Sequence, residues 1–339
     1  MQPIVIGHRG ASGYRPEHTR SAYELAVALG ADAVEPDIVA TRDGVLVVRH
    51  ENEISGTTDV ASHPKFHSRR VTKEIDGIEL TGWFTEDFTW AELRTLRARE
   101  RLPEVRKASA TFDDRFPLLR LRDAFKLIDR VAGRARRPIG IVAEIKHATY
   151  FDSIGLPLDE LFAAEVNTAG WNAGDGRLTI ESFERSLLGK IYARGIYGKR
   201  IFLLEARGKP FDEVARLGLK NAPRYADYLT DAGLYGLSGR IDGISVPKSL
   251  ILETDADGQV TGATDLVDAA HAARLEIYCW TLRPENRFLA KTFRRGRLRA
   301  DYGDWQSEFR TILGTGIDGV FADHPDLAVT VRDELAAED

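Results

Sequence analysis

The sequence predicts an α/β fold, a (β/α)8 TIM barrel with an insertion subdomain after a hairpin on its second strand. Three observations carry that expectation. Short β-branched runs end in polar or charged residues. Amphipathic segments follow most of them. The runs reduce to eight once one is read as a hairpin arm.

In chain order the strand candidates are Ile4–His8, Ala33–Val39, Val45–His50, Ile139–Ile145, Leu178–Phe183, Arg200–Leu204, Gly243–Val246, Leu275–Thr281 and Gly319–Asp323. Helices are expected over Ser21–Leu29, Leu121–Val131, Leu158–Ala169, Arg185–Ala193, Leu266–Ala273 and Asp326–Ala336. Nine strands are one too many for the barrel, and the third explains the surplus. Between Val39 and Val45 lies Thr41-Arg42-Asp43-Gly44, and Asp-Gly between two apolar runs is a strong hairpin signal. A two-residue Asp43-Gly44 loop pairs Arg42 with Val45. The same register sets Asp37 opposite His50 and Glu35 opposite Asn52, and a bulge would shift it by one residue.

The region from Glu51 to Pro117 fits no βα unit. It carries a helical signal over Trp90–Arg99 and turn-rich pieces such as Thr81-Gly82-Trp83-Phe84-Thr85. Residues 51–117 therefore read as an insertion within a single domain of residues 1–339, and loops this long are usually functional caps or small subdomains. A second irregular excursion spans residues 283–302. Its basic run, Arg294-Arg295-Gly296-Arg297, is expected to be a solvated surface.

Composition narrows the function classes. Of 339 residues, 43% are apolar, ample for one large core, and the formal net charge of −5 with no long Lys/Arg run argues against a nucleic-acid binder. The single cysteine, Cys279, excludes an internal disulfide and a thiolate metal cluster. No window approaches the ~18 consecutive apolar residues of a membrane span, so no stable membrane insertion is expected. The first residues lack a basic segment followed by a long apolar stretch. As the sequence stands a cytoplasmic location is expected, with a periplasmic or secreted one as the alternative for a mature form whose export signal is gone.

The active site of a barrel enzyme gathers at the C-terminal ends of its strands. Here those ends carry Gly7-His8-Arg9-Gly10, Glu35-Pro36-Asp37, His50-Glu51 and Glu144-Ile145-Lys146-His147. Glu35 and Asp37, two apart on a strand, share a face, and Glu144 joins them from the next strand. Three carboxylates make a hard-oxygen site suited to Mg2+ or Ca2+. His8 and His50 are the acid/base candidates, because imidazole titrates near neutral pH. Arg9 and Lys146 suit phosphate oxygens. His18 reads as structural at a helix start capped by Thr19, and His147 should point away on strand alternation. Trp280 either stacks against a small polyol or fills the barrel top. Glu17, Phe183 and Glu205 are weaker candidates for lining the pocket.

The order His8-Arg9-Gly10, Pro16-Glu17-His18-Thr19, Gly30-Ala31-Asp32, Glu35-Pro36-Asp37, Thr41-Arg42-Asp43-Gly44 and Val48-Arg49-His50 resembles the signature of the glycerophosphodiester phosphodiesterase family. Glu144-Ile145-Lys146, Trp280-Thr281 and Ala322-Asp323-His324-Pro325-Asp326 look like its later motifs. The long insertion resembles the larger bacterial members. The resemblance implies metal-dependent hydrolysis of compounds such as glycerophosphocholine or glycerophosphoethanolamine to sn-glycerol 3-phosphate and an alcohol. It makes His8 and His50 the catalytic pair, Glu35, Asp37 and Glu144 the ligands of Ca2+ or Mg2+, and Arg9 and Lys146 the phosphate holders. The sequence departs from the family at His18, where Asn is usual, and at His50-Glu51, where many members have His-Asp.

Two other readings stay open. One is a related barrel phospholipase acting on lipid, for which Trp83, Phe84, Phe88 and Trp90 would supply an apolar rim. The other is a non-catalytic protein that captures glycerophosphodiesters, against which the pair His8 and His50 argues.

Overall fold

The structure, a computed structural model, describes residues 2–338. Its strands are β1 (Ile4–Gly7), β2 (Ala33–Val34), β3 (Asp37–Ala40), β4 (Leu46–Val48), β5 (Val71–Ile75), β6 (Ile78–Gly82), β7 (Gly140–Ile145), β8 (Leu178–Ser182), β9 (Lys199–Leu203), β10 (Gly243–Pro247), β11 (Leu252–Thr254), β12 (Val260–Ala263), β13 (Glu276–Leu282) and β14 (Gly319–Ala322). The ring runs β1, β14, β13, β10, β9, β8, β7, with β2 pairing in parallel to both β7 and β1 and so closing it. This is the expected barrel. Its second stave is split into β2 and β3 at Glu35-Pro36, because proline has no N–H to give the ladder; the Pro36 carbonyl still accepts from the Glu144 N–H at 3.1 Å.

The hairpin arm is present, one residue out of the expected register. Val39 pairs with Val47 and Ala40 with Leu46. The loop has three residues, Arg42-Asp43-Gly44, closed by Thr41 N–H to the Val45 carbonyl at 3.0 Å. Gly44 holds φ +73°, the left-handed position that ends such a loop. Asp37 therefore faces Arg49, whose N–H donates to its carbonyl at 2.9 Å, and not His50.

Strand alternation divides the core. Ile6, Ala33, Val142, Ile201, Tyr278 and Phe321 fill the barrel's interior, and a larger cluster packs the strands against the helices. Phe66, Trp83, Phe88, Leu93 and Leu96 of the insertion belong to that larger cluster. The helix expected over Trp90–Arg99 covers only Trp90–Leu93. Arg97 and Ala98 are instead drawn into extended bridges with Pro117 and Thr58, so tertiary pairing overrides local propensity. The insertion also holds an unforeseen hairpin, β5–β6. Helices at Phe211–Leu217, Asp231–Leu237 and Trp305–Leu313, and the hairpin β11–β12, were not foreseen either. Among the described residues no helix is long and apolar enough to cross a membrane.

Candidate active site

The alternation that fills the interior also builds the site. Two residues beyond five of the six apolar plugs the same face carries a functional group: Ile6 is followed by His8, Ala33 by Glu35, Val142 by Glu144, Tyr278 by Trp280 and Phe321 by Asp323. The pairing sets Asp37 beside Glu144, and Glu144 beside Glu181, across β3, β7 and β8. One oxygen each from Glu35, Glu144 and Glu181 lies within 4.8 Å of the others. The converging trio thus includes Glu181, which the sequence expectation omitted, in place of Asp37. Asp37 sits alongside, with Oδ2 taken by His18 Nε2 at 2.9 Å and near Arg9 Nε at 3.3 Å, while its Oδ1 has no partner. His18 is thus a structural residue, held from the other ring nitrogen by the Tyr23 hydroxyl at 2.8 Å.

This floor is short of positive charge. Both Glu181 oxygens are buried without a partner. Burial, then the charge of Asp37, pushes Glu35 well above the usual carboxylate range; burial, then Glu144, does the same to Glu181. Burial raises Glu144 to about 7 despite the Lys146 ammonium at 2.5 Å. For Asp37, burial is overcome by Lys146 and His18, which hold it well below its ordinary value. Buried carboxylates short of counterions cost several kcal/mol each, so the trio Glu35, Glu144 and Glu181 could hold a cation. The loop after β1 contributes a further hold: Arg9, at φ +59°, donates its backbone N–H to Glu35 Oε2 at 3.0 Å. Gly10 makes that turn fit, since a Cβ there would lie 2.6 Å from the Ala22 backbone.

Above the floor stand two imidazoles, each backed by a carboxylate. His8 Nδ1 donates to Asp323 Oδ1 at 2.5 Å, and its Nε2 lies 3.8 Å from Glu35. His50 Nδ1 donates to Glu51 Oε1 at 2.6 Å. A carboxylate only accepts, so both rings carry the proton on Nδ1 and leave the Nε2 lone pair free. Burial, then Arg9, lowers His8 to about 4 against the opposing pull of Asp323. Burial, then Arg9 and Lys146, holds His50 well below the ordinary histidine value. Both shifts favour the neutral ring, whose free Nε2 can accept a proton.

His8, Arg9, Glu35, His50, Glu144, Lys146, Glu181, Phe183, Glu205 and Trp280 border one cavity of about 980 Å3. Phe183 meets Trp280 edge to face at 6.1 Å between ring centres, and the buried Trp280 indole N–H has no partner. Asp76, Glu184 and Tyr225 also line the cavity. Three expectations need correction. Glu17 does not reach this cavity: Arg101 takes both its oxygens at 2.7 and 2.8 Å, and Arg9 donates to it at 3.1 Å. His147 does border the cavity, because β7 ends at Ile145 and a left-handed turn at φ +53° breaks the alternation; its Nδ1 meets Asp76 at 2.6 Å. Trp83, Phe84 and Phe88 are buried and form no exposed rim. Three groups that sequence reasoning gave no role are Glu181, Asp323 and the insertion's arginines. Glu181 had a signal, a lone acid inside an apolar strand.

Residues 8–327 match the model of the glycerophosphoryl diester phosphodiesterase family. The chain is 30% identical over 335 residues to a glycerophosphodiester phosphodiesterase of Arabidopsis thaliana, covering 95% of this chain and 84% of that protein. It is 24% identical to a glycerophosphodiester phosphodiesterase of Treponema pallidum, covering 96% and 90%. Among solved structures, an Oleispira antarctica phosphodiesterase in complex with the product sn-glycerol-3-phosphate superposes with a TM-score of 0.62 at 19% identity, covering 98% of this chain and 97% of that one. A Parabacteroides distasonis glycerophosphodiester phosphodiesterase gives 0.60 at 16% identity, covering 99% and 98%. At those identities the structural likeness speaks for the fold.

Proposed function

The chain belongs to the glycerophosphoryl diester phosphodiesterase family, and from that premise we propose that it hydrolyses glycerophosphodiesters such as glycerophosphocholine and glycerophosphoethanolamine to sn-glycerol 3-phosphate and the free alcohol, with a bound Ca2+ or Mg2+. The observation that supports this most is the meeting, in one cavity, of two carboxylate-backed imidazoles with a floor of under-partnered carboxylates. Capture without turnover needs no such acid/base pair.

The floor fits a hard cation. Glu35, Glu144 and Glu181 offer converging oxygens, Asp37 adds an unpartnered Oδ1, and thiolate ligands are absent among the described residues at the site. When bound there, the ion neutralises charge on the phosphoryl oxygens. Arg9 and Lys146 bind the same oxygens from the walls, one as a planar fork and the other as a point charge.

The substrate's glycerol 2-hydroxyl attacks phosphorus, and the bond from phosphorus to the headgroup oxygen breaks, leaving a cyclic phosphate. The Nε2 of one histidine takes the hydroxyl proton. The other, once protonated beside the phosphate charge of the substrate and its own backing carboxylate, gives a proton to the leaving oxygen. Water then opens the ring with the two roles exchanged. Asp323 and Glu51 keep each imidazole oriented and stabilise its charged form. The cavity lining, with Asp76, Glu184 and Glu205 and the rings of Phe183 and Tyr225, suits a cationic alcohol. Burial of Trp83, Phe84 and Phe88 favours water-soluble diesters over bilayer lipid.

The test is release of glycerol 3-phosphate from glycerophosphocholine with Ca2+, with Mg2+ and with chelator. Metal-dependent release is expected. A folded protein that releases none from any glycerophosphodiester, with either ion, would rule the proposal out.

A further inference from the structure

The segment between β6 and the helix Leu121–Ala135 reaches the site. Its residues 100–106 meet the carboxylates that back both histidines. Arg101 donates through Nη1 to Glu51 Oε1 and through Nη2 to Glu51 Oε2, both at 2.7 Å. Glu51 Oε1 is the oxygen that accepts from His50. Arg101 also clamps Glu17, which in turn receives Arg9. Five residues on, Arg106 donates through Nη2 to Asp323 Oδ2 at 2.5 Å and through Nε to Glu285 at 2.7 Å. Asp323 Oδ1 is the oxygen that accepts from His8. A further bond from Arg106 Nη1 reaches the Ser12 carbonyl at 3.2 Å, and the Ser12 hydroxyl donates to the His8 carbonyl at 2.8 Å.

The segment itself is fixed. Glu100 accepts from the Leu102 N–H at 2.9 Å and from the Ser109 hydroxyl at 2.5 Å, and its own N–H donates to Asp113. One short, stitched loop thus carries two guanidinium groups, each bound to the carboxylate that fixes a different imidazole. Arg106 is buried, and a buried guanidinium held on two carboxylates loses little freedom when it orients one of them.

We propose that Arg101 and Arg106 are positioning residues: the insertion braces the two acid/base histidines, Arg101 acting on His50 through Glu51 and Arg106 acting on His8 through Asp323. The insertion is then part of the catalytic frame and not only a cover. A barrel without such a loop would leave Glu51 without its guanidinium partner and Asp323 with Arg283 alone, whose Nε donates to Oδ2 at 2.7 Å, and the Nδ1 proton of each ring would have a less firmly held acceptor. Partners of this kind, one step removed from the reacting group, are worth about 10- to 100-fold in activity.

This inference rests on the proposed acid/base roles for its kinetic consequence, but the bracing itself can be read without turnover. With histidine labelled in 15N, ring-nitrogen shifts of the full chain report which nitrogen of His8 and His50 carries the proton. Both rings are expected as Nδ1–H in the native protein. Arg101→Ala should disturb His50 and leave His8 unchanged. Arg106→Ala should do the reverse. If either variant melts too early to study, Glu51→Gln and Asp323→Asn replace it, since they keep shape and remove the fixed acceptor charge. Unchanged ring signals in all of these variants would overturn the proposal, as would both rings changing together in each.

Kinetics supply the second arm. Arg101→Ala should lower kcat by about 10- to 100-fold with KM within about 3-fold, and should add nothing further in a His50→Ala background. The same cycle applies to Arg106→Ala with His8→Ala. Independent, multiplying losses would overturn the proposal even if the ring signals moved. A native protein with the expected ring signals and no release of glycerol 3-phosphate would instead count against the phosphodiesterase reading alone.

Discussion

The floor of the cavity and its two histidine arms are built on opposite electrostatic plans. In the floor, Glu35, Asp37, Glu144 and Glu181 outnumber their cations, and several of their oxygens lie buried without a partner. In the arms, both carboxylates that back the histidines are met by guanidinium groups: Asp323 by Arg106 and Arg283, and Glu51 by Arg101. A layer short of positive charge is completed by a ligand, whereas a closed ion-pair network is complete on its own and serves to hold geometry. The barrel strands supply the first and the insertion supplies much of the second. On the proposed reading, binding and orientation fall largely to different parts of the chain, and substitutions should separate them.

The largest effect is expected at the arms. His8→Ala should lower kcat by about 10²- to 10⁴-fold, the usual worth of a positioned acid or base, with the melting temperature nearly unchanged; near-native turnover would sink the two-histidine scheme. The next falls on the floor. Glu181→Gln should weaken divalent-ion affinity by about 10-fold or more while stabilising the metal-free protein by about 1 kcal/mol, a rise in Tm of about 1–2 °C, because a neutral amide relieves the crowding of buried carboxylates. Paired melts with chelator and with Ca2+ would show it, and a variant less stable than native protein in chelator would contradict it.

A smaller change is expected at the acidic cavity lining. Asp76→Asn should reduce kcat/KM for glycerophosphocholine relative to a diester with an uncharged alcohol by about 5-fold, the worth of one partly exposed charge of about 1 kcal/mol. Equal losses on both substrates would remove Asp76 from headgroup recognition.

The smallest concerns the loop that carries the arms. Burial raises Glu100 to about 7, above the ~4.3 of an unfolded glutamate. An acid whose folded value is raised costs nothing below its unfolded value, and the cost grows as pH climbs from there through about 7. Glu100→Gln should therefore flatten the decline of stability between about pH 4.5 and pH 7. An unchanged pH profile of the urea midpoint would exclude Glu100 as its source.

The sequence made the barrel legible because β-branched runs and amphipathic segments alternate along most of the chain, and barrel geometry sends strand ends to one mouth. His8, Arg9, Glu35, Glu144 and Lys146 meet there for that reason, and Phe183 and Trp280 line the same cavity by period two. Asp-Gly was a sound hairpin signal and an incomplete one. Asp43-Gly44 closes a three-residue loop, which slid the register by one, while Asp76-Gly77, at φ +50° and +81°, closes a true two-residue turn inside the region read as an irregular insertion. Glu181 could have been found, since an acid in an apolar strand and in phase with Phe183 must face the interior. Arg106 could not. It meets Asp323 across 217 residues of sequence, a contact that no local pattern encodes.

The separation of floor from arms is tested most directly by calorimetric titration of Ca2+ and Mg2+ into chelator-stripped native protein, His8→Ala and Glu35→Gln. One divalent ion should bind the native chain and His8→Ala with dissociation constants within about 3-fold of each other, although His8→Ala has lost most of its turnover, and binding should be lost or greatly weakened in Glu35→Gln. No binding to the native chain, or equal loss in His8→Ala and Glu35→Gln, would contradict the division of the site into a cation-holding floor and separately braced histidines.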